Sequence, residues 1–169
     1  MAVITLKGNK IRTSGKLPEI GKKAPAFKLT DSSLQEVTLK DFTGKYKILN
    51  INPSLDTGIC ALSAKAFNQK VSKLRKTVVL NISRDTPFAA SRFCSTEGIK
   101  NVIALSEFSN RNFGEKYGCA IVSGPLKGAL SRAVVVIDDR DRIVYTEQVP
   151  EITQEPDYEA AIEAVKAWP

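Results

Sequence analysis

Cys60 stands where a cysteine can act as a nucleophile. It follows the polar stretch Asn52-Pro53-Ser54-Leu55-Asp56-Thr57-Gly58-Ile59, between a predicted buried strand and a predicted helix. In the first turn of a helix, unpaired backbone N–H groups and the helix dipole favour a thiolate over a thiol. Thr57 precedes Cys60 by three residues, so its hydroxyl lies on the same side of that turn and can hydrogen-bond the sulfur and a substrate. The sequence therefore predicts an activated thiolate at Cys60.

The chain of 169 residues contains no histidine. This excludes Cys–His hydrolases and every triad in which imidazole activates Ser or Cys. A nucleophilic cysteine here must be activated by cationic residues, hydrogen bonds or a helix terminus. With Cys94 and Cys119 the cysteines number three, which fits neither a secreted disulfide framework nor a metal-ligand spacing. Reactive thiols in a reducing compartment are predicted, and no metal, haem or flavin is implied.

The elements that position Cys60 alternate between strands and helices. The apolar, β-branched runs 46–51 and 77–82 have the composition of strands buried on both faces. Between them, residues 57–73 have helical spacing. Helices at 87–97 and 110–117 around a strand at 102–105 continue the pattern. This order predicts an α/β fold with parallel strands.

The two ends of the chain have a different pattern. Segments 3–6 and 10–13 predict an N-terminal β-hairpin, followed by short strands at 27–30 and 36–39. Strands at 133–138 and 143–147 form a second hairpin, and a helix at 157–168 closes the chain. The order strand, helix, strand, β-hairpin and terminal helix is typical of the thioredoxin-like fold. The length and the 43% hydrophobic content predict a single domain over residues 1–169.

Charge and hydropathy argue against nucleic-acid or membrane partners. The net charge is +7, but Lys and Arg are scattered, and the densest basic stretch, 65–76, has the pattern of a solvated helix face. No apolar run approaches the roughly 20 residues that span a bilayer. The N-terminus lacks the apolar core of a signal peptide. We expect a soluble, cytoplasmic protein, with a periplasmic pool as the alternative.

Several stretches resemble one known family. The motif Pro53-Ser-Leu-Asp-Thr57-Gly-Ile-Cys60 is similar to the Pro-x-x-x-Thr-x-x-Cys motif of peroxiredoxins, in the form typical of thiol peroxidases. Further similar stretches are 21–27 (GKKAPAF), 91–94 (SRFC), 124–128 (GPLKG) and 132–138 (RAVVVID). The likeness covers nearly the whole chain. It implies the peroxiredoxin variant of the thioredoxin-like fold.

The resemblance implies a role for each matching residue. Cys60 would be the peroxidatic cysteine, Thr57 would bind and orient the peroxide, and Pro53 would shield the pocket from water. Arg132 would stabilise the thiolate and the charge on the leaving oxygen. Physical chemistry agrees on this last point, because arginine stays protonated at every relevant pH.

The resemblance also implies how the enzyme is recycled. Cys94 lies where members with an intramolecular disulfide carry their resolving cysteine, so a Cys60 sulfenic acid would condense with it. Thioredoxin would then reduce the disulfide. Hydrogen peroxide and alkyl or lipid hydroperoxides are the implied substrates, and a homodimer is the implied assembly. Cys119, in an apolar segment, is interpreted as structural, but its presence leaves open which thiol resolves.

Other interpretations of these residues remain. The simpler interpretations are that Cys60 is a small buried residue and that Thr57 is a helix cap alone. In the same way, Pro53 would only end a strand, and Arg132 would be a surface cation. A disulfide oxidoreductase is the rival enzyme, although its usual Cys-x-x-Cys pair is missing from the sequence. A non-catalytic peroxide sensor would use the same cysteines.

Overall fold

A mixed β-sheet forms the centre of the computed structural model, which describes residues 1–167. Its strands are β3 (Lys28–Asp31), β4 (Glu36–Thr38), β5 (Tyr46–Ile51), β6 (Thr77–Ser83), β7 (Val102–Ser106), β8 (Ala133–Ile137) and β9 (Ile143–Gln148). They lie in the order β4-β3-β7-β6-β5-β8-β9, while β1 (Val3–Leu6) and β2 (Asn9–Arg12) form a separate hairpin. The helices are α1 (Gly58–Val71), α2 (Pro87–Glu97), α3 (Asn112–Lys116) and α4 (Tyr158–Lys166).

The three central strands run parallel and end at the same edge of the sheet. Ile51 of β5 lies opposite Ile82 of β6, and Ile82 lies opposite Leu105 of β7. On the other side of β5, β8 pairs antiparallel and places Ala133 opposite Ile51. The segments that follow β5, β6 and β7 therefore leave from one edge, and the residue before β8 reaches the same edge.

The central strands are buried on both faces, as their composition predicts. Ile48, Val79 and Val134 face a cluster formed with α1 and α4, whose contributions include Phe67 and Ile162. Residues of the opposite parity, among them Leu49, Leu80 and Val135, pack with Phe27, Phe113 and Tyr117 on the other face. Because side chains alternate along a strand, continuous apolar runs fill both layers. The predicted α/β, thioredoxin-like class is confirmed.

Local signals define where the helices begin and end. Thr86 accepts a hydrogen bond from the Ala89 N–H at the start of α2, Pro87 is its first residue, and Gly98 ends it with φ +64°. The predicted bounds of α2 are confirmed. α1 ends two residues earlier than predicted, at Val71, and α3 is shorter than predicted. α4 begins after its cap Asp157, and Trp168 of the predicted helix lies outside the described residues.

The N-terminal hairpin packs against two later segments of the chain, near residues 121 and 152. Its Ile4 and Ile11 form a small apolar cluster with Ile121 and Ile152. The hairpin is confirmed, with its second strand beginning one residue earlier than predicted. In the part of the chain that the structure describes, no helix has the length and apolar character needed to cross a membrane.

Candidate active site

Cys60 lies in the first turn of α1 and is fully buried. Thr57 is the N-cap: it has extended backbone angles, and its Oγ1 accepts a hydrogen bond from the Cys60 N–H at 3.2 Å. This satisfies one of the N–H groups that a helix leaves unpaired at its start. The cap therefore places the Thr57 hydroxyl and the Cys60 sulfur on the same helical turn, as the three-residue spacing predicts.

A buried arginine reaches the sulfur from the neighbouring strand. Arg132 immediately precedes β8, and its Nη1 donates a hydrogen bond to Cys60 Sγ at 3.1 Å. Its Nε donates to the Ile152 carbonyl oxygen at 2.6 Å, and the side chain is almost completely buried. A guanidinium held at two nitrogens has a fixed plane. The cation is therefore preorganised to stabilise negative charge on the sulfur.

The loop between β5 and α1 is anchored by Asp85, a residue that the sequence analysis did not identify. The Asp85 carboxylate accepts hydrogen bonds from the Leu55 N–H at 2.7 Å and from the Ser54 hydroxyl at 2.9 Å. Pro53 lies in the same loop and is half-buried. Asp85 follows β6 at the edge of the sheet where β5 also ends. This position in the sequence, directly after a predicted central strand, is the signal that could have identified Asp85 as a site residue.

Tyr158, the first residue of α4, was also not identified. Its pKa is raised, mainly by burial and by the hydrogen bond that its hydroxyl donates to Glu155. The positive charge of Arg132 acts against this rise. Its ring packs edge-on against Phe67 of α1, with centroids 5.2 Å apart. Tyr158 therefore packs against α1, the helix that carries Cys60, and stays neutral.

Cys94 lies apart from this group, on α2. It is half-buried and packs against a small cluster formed by Leu55, Ala90 and Ala104. Burial raises the pKa of the Cys94 thiol. A cavity of about 310 Å³ lies between α2 and the active-site loop, with Leu55, Arg92 and Phe93 in its wall. Cys94 and Cys60 are both free thiols, and no disulfide joins them in this structure.

Cys119 is buried in the layer on the other side of the sheet from α1. Burial, followed by the negative charge of Glu107, raises the pKa of its thiol well above the usual value. A thiol in this environment is a poor nucleophile. The structure thus brings together Cys60, Thr57 and Arg132, with Pro53 in the adjoining loop, and places Cys94 on the neighbouring helix.

Comparison with known proteins agrees with this arrangement. Residues 19–162 match the Redoxin family model. Thiol peroxidases from two serovars of Leptospira interrogans, copenhageni and Lai, are each 50% identical over 169 residues, covering 99% of both chains. A peroxiredoxin-like protein of known structure from Aquifex aeolicus is 36% identical, with a TM-score of 0.93 over 99% of this chain and 97% of that one.

A thiol peroxidase structure from Chromobacterium violaceum, 22% identical, shares the fold with a TM-score of 0.90 over 98% of this chain and 95% of its own. The family match spans most of the chain, and the Leptospira relatives align with it from end to end. Together with the buried cysteine at a helix start, these likenesses show that the chain belongs to the thiol peroxidases of the Redoxin family, and that it is a peroxidase with a thioredoxin-like fold.

Proposed function

We propose that this peroxidase reduces hydrogen peroxide and alkyl or lipid hydroperoxides through Cys60. The thiolate sulfur attacks one peroxide oxygen, so an S–O bond forms as the O–O bond breaks. The sulfur is oxidised by two electrons to a sulfenic acid, and the other oxygen leaves, takes up a proton and becomes water or an alcohol. The observation that carries this proposal is the 3.1 Å contact between Arg132 Nη1 and Cys60 Sγ in a buried site.

In this proposal Arg132 and Thr57 act on the reacting atoms. The Arg132 guanidinium holds the sulfur as a thiolate and meets the charge that develops on the leaving oxygen. The Thr57 hydroxyl accepts from the Cys60 N–H, and its own proton points to the Ser54 carbonyl oxygen at 3.4 Å, a long hydrogen bond. A bound peroxide offers a better acceptor, so Thr57 can orient the substrate. Pro53 shields the sulfur from bulk water.

The second half of the proposed cycle uses Cys94. Its sulfur attacks the Cys60 sulfenic acid, the Cys60–Cys94 disulfide forms, and the hydroxyl leaves as water. A thioredoxin-like dithiol then reduces the disulfide and is itself oxidised. The position of Cys94 supports this assignment, because it is half-buried on the helix beside the active-site loop, whereas Cys119 is buried on the opposite face of the sheet.

Disulfide formation requires local unwinding in this proposal. Cys60 is buried in the first turn of α1 and Cys94 packs in a separate cluster on α2, whereas a disulfide needs Cα atoms within about 7 Å. We expect the first turn of α1, the end of α2, or both to open on oxidation. Amide hydrogen exchange should show lost protection at 57–66 or 88–97 in oxidised protein, with β5 and β6 unchanged. Equal protection in both redox states contradicts the switch.

The experiment that tests the whole cycle is turnover with thioredoxin, its reductase, NADPH and several hydroperoxides. Cys60→Ser should abolish peroxide consumption, and Cys94→Ser should react once and then stall. Cys119→Ser is the matched control and should cycle like the wild type. If Cys119→Ser stalls instead, resolution belongs to Cys119. A wild-type protein that reacts once without turnover would be a peroxide sensor.

We also propose a single-domain chain that forms a homodimer through its active-site face. Leu62 of α1, Phe88 of α2 and Phe108 after β7 follow the ends of the three parallel strands, and each exposes more than half of its surface. Sedimentation velocity should give a dimer that Phe88→Glu shifts towards monomer. Leu34→Glu, which alters an exposed leucine beyond β3, is the control and should stay dimeric. A wild-type monomer refutes this assembly.

The proposed site of action is the cytoplasm.

A further inference from the structure

We propose that Glu151 is a positioning residue for Arg132, and that it acts by fastening the N-terminal hairpin to the segment whose carbonyl oxygen holds the guanidinium. The inference rests on the proposed role of Arg132 in the peroxide step. It assigns the hairpin, which lies outside the active site, a part in setting the geometry of that site.

The Glu151 carboxylate is bound by the hairpin at several points. It accepts hydrogen bonds from the Thr5 hydroxyl at 2.6 Å, from the Lys7 N–H at 2.9 Å and from the Gly8 N–H at 3.1 Å. Lys7 and Gly8 form the turn between β1 and β2, with φ +50° and +83°. Successive N–H groups in such a turn form an anion-binding concavity. The hairpin turn is therefore a binding site for this carboxylate.

The residue after Glu151 connects the hairpin to the arginine. The Ile152 N–H donates to the Thr5 carbonyl oxygen at 2.9 Å, and the Thr5 N–H donates to the Pro150 carbonyl oxygen at 2.7 Å. The Ile152 side chain is buried with Ile4 of β1. On its other side, the Ile152 carbonyl oxygen accepts the 2.6 Å hydrogen bond from Arg132 Nε. Hairpin, segment 150–152 and guanidinium thus form one continuous hydrogen-bonded chain.

The planarity of the guanidinium carries the effect to the sulfur. Nε and Nη1 belong to one rigid plane, so a shift of the carbonyl oxygen that holds Nε also shifts the Nη1 that contacts Cys60 Sγ. A misplacement of about 1 Å can cost about 10²-fold in rate. Loosening the hairpin while its apolar contacts remain should cost less, and we expect about a tenfold loss.

The hairpin needs such an attachment because a two-stranded sheet alone is marginally stable in water. A further attachment lies on the other strand, where the Arg12 N–H donates to Ser123 Oγ at 2.9 Å and the Arg12 carbonyl oxygen accepts from the Val122 N–H at 2.9 Å. The hydrogen bonds from Thr5, Gly8 and Lys7 lower the pKa of Glu151 to about 2, so the carboxylate remains charged at every pH at which the enzyme would work. The Glu151 attachment leads to Arg132, whereas the Ser123 attachment leads to the 121–123 segment.

A double-mutant cycle tests the proposal. The second-order rate constant for hydrogen peroxide would be measured by stopped flow on pre-reduced wild type, Glu151→Ala, Arg132→Met and the double variant. Glu151→Ala should slow the wild type about tenfold but slow Arg132→Met by less than twofold, because its effect passes through the guanidinium. Glu151→Gln keeps one acceptor oxygen and should recover part of the rate. Ser123→Ala, which loosens the same hairpin from its other side, should react at the wild-type rate.

Equal slowing by Glu151→Ala in both backgrounds, or no slowing in either, overturns the proposal, because the residue would then act on stability alone or not at all. Equal slowing by Ser123→Ala also overturns it. An Arg132→Met variant that reacts like the wild type would instead contradict the proposed role of Arg132 in the peroxide step. If Glu151→Ala does not fold, Thr5→Val removes a single donor and replaces it in the cycle, with the same expected non-additivity.

Discussion

Replacing Arg132 by methionine should slow the reaction of Cys60 with peroxide by about 10²- to 10³-fold, the scale for losing one preorganised donor. The structure gives a way to check this magnitude. Opposite unit charges at the 3.1 Å that separates Nη1 and Sγ attract by about 5 kcal/mol at an effective dielectric constant near 20. Desolvation of the two buried groups offsets part of this attraction. The remaining few kcal/mol correspond to the expected loss, since about 1.4 kcal/mol is tenfold in rate.

The assay is single-turnover stopped flow on pre-reduced protein, repeated over a range of pH. Arg132 has two proposed effects, on the ionisation of the sulfur and on the charge of the leaving oxygen. Raising the pH favours the ionised form of a thiol, and it therefore counters only the first effect. The Arg132→Met variant should therefore recover part of its rate at high pH and remain below the wild type. Arg142→Met, which removes an exposed arginine before β9, is the control and should react normally.

The variant should also be less stable, because the buried Ile152 carbonyl oxygen loses its hydrogen bond from Nε. An unsatisfied buried acceptor costs about 1–3 kcal/mol, and each kcal/mol lowers Tm by about 2–4 °C in a chain of this size. A wild-type rate at every pH refutes the assigned role of Arg132. Full recovery at high pH refutes only its effect on the leaving oxygen.

Further predictions concern other parts of the chain. Thr57→Val should lose about 1 kcal/mol of stability, measured by urea unfolding, because the helix cap is removed. It should also slow the peroxide step about 10²-fold in stopped flow. An unchanged rate means that Thr57 is a cap alone. Gly118→Ala should destabilise the protein by about 1–3 kcal/mol or more in urea, because Gly118 has φ +65° and a Cβ would lie within 3 Å of the Lys16 backbone; a wild-type midpoint contradicts this. The pKa of Glu151 is lowered from 4.5 to about 2. The contribution of its charged carboxylate to the free energy of unfolding is therefore complete above pH 4.5 and is lost as the pH falls towards 2. The stability difference between wild type and Glu151→Gln should therefore shrink in that window, and a constant difference in acid unfolding contradicts the assignment. Cys119 should resist alkylation in the native, reduced protein and react after unfolding, as peptide mass spectrometry can show.

Features that depend on local sequence could be predicted. The β-branched runs predicted β5 and β6, and the Thr-Pro start and glycine end predicted α2, because strand burial and helix caps depend on residues close in the chain. Cys60 and Thr57 belong to this group, since a helix cap and the residue three positions later share one turn. Local signals define the ends of elements less closely, as the early end of α1 at Val71 shows.

The sequence predicted the thiol chemistry: a chain without histidine places one cysteine at a predicted helix start, and its motif resembles a known family. The resemblance implied a role for Arg132, but the contacts made with that cysteine depend on the tertiary structure. Arg132 is 72 positions away and reaches the sulfur because β8 pairs with β5, while Asp85 and Glu151 act through loops that the sheet and the hairpin bring together. Helix and strand signals depend on neighbours within about four positions. Contacts between distant segments depend on how the sheet is ordered, which no local pattern specifies.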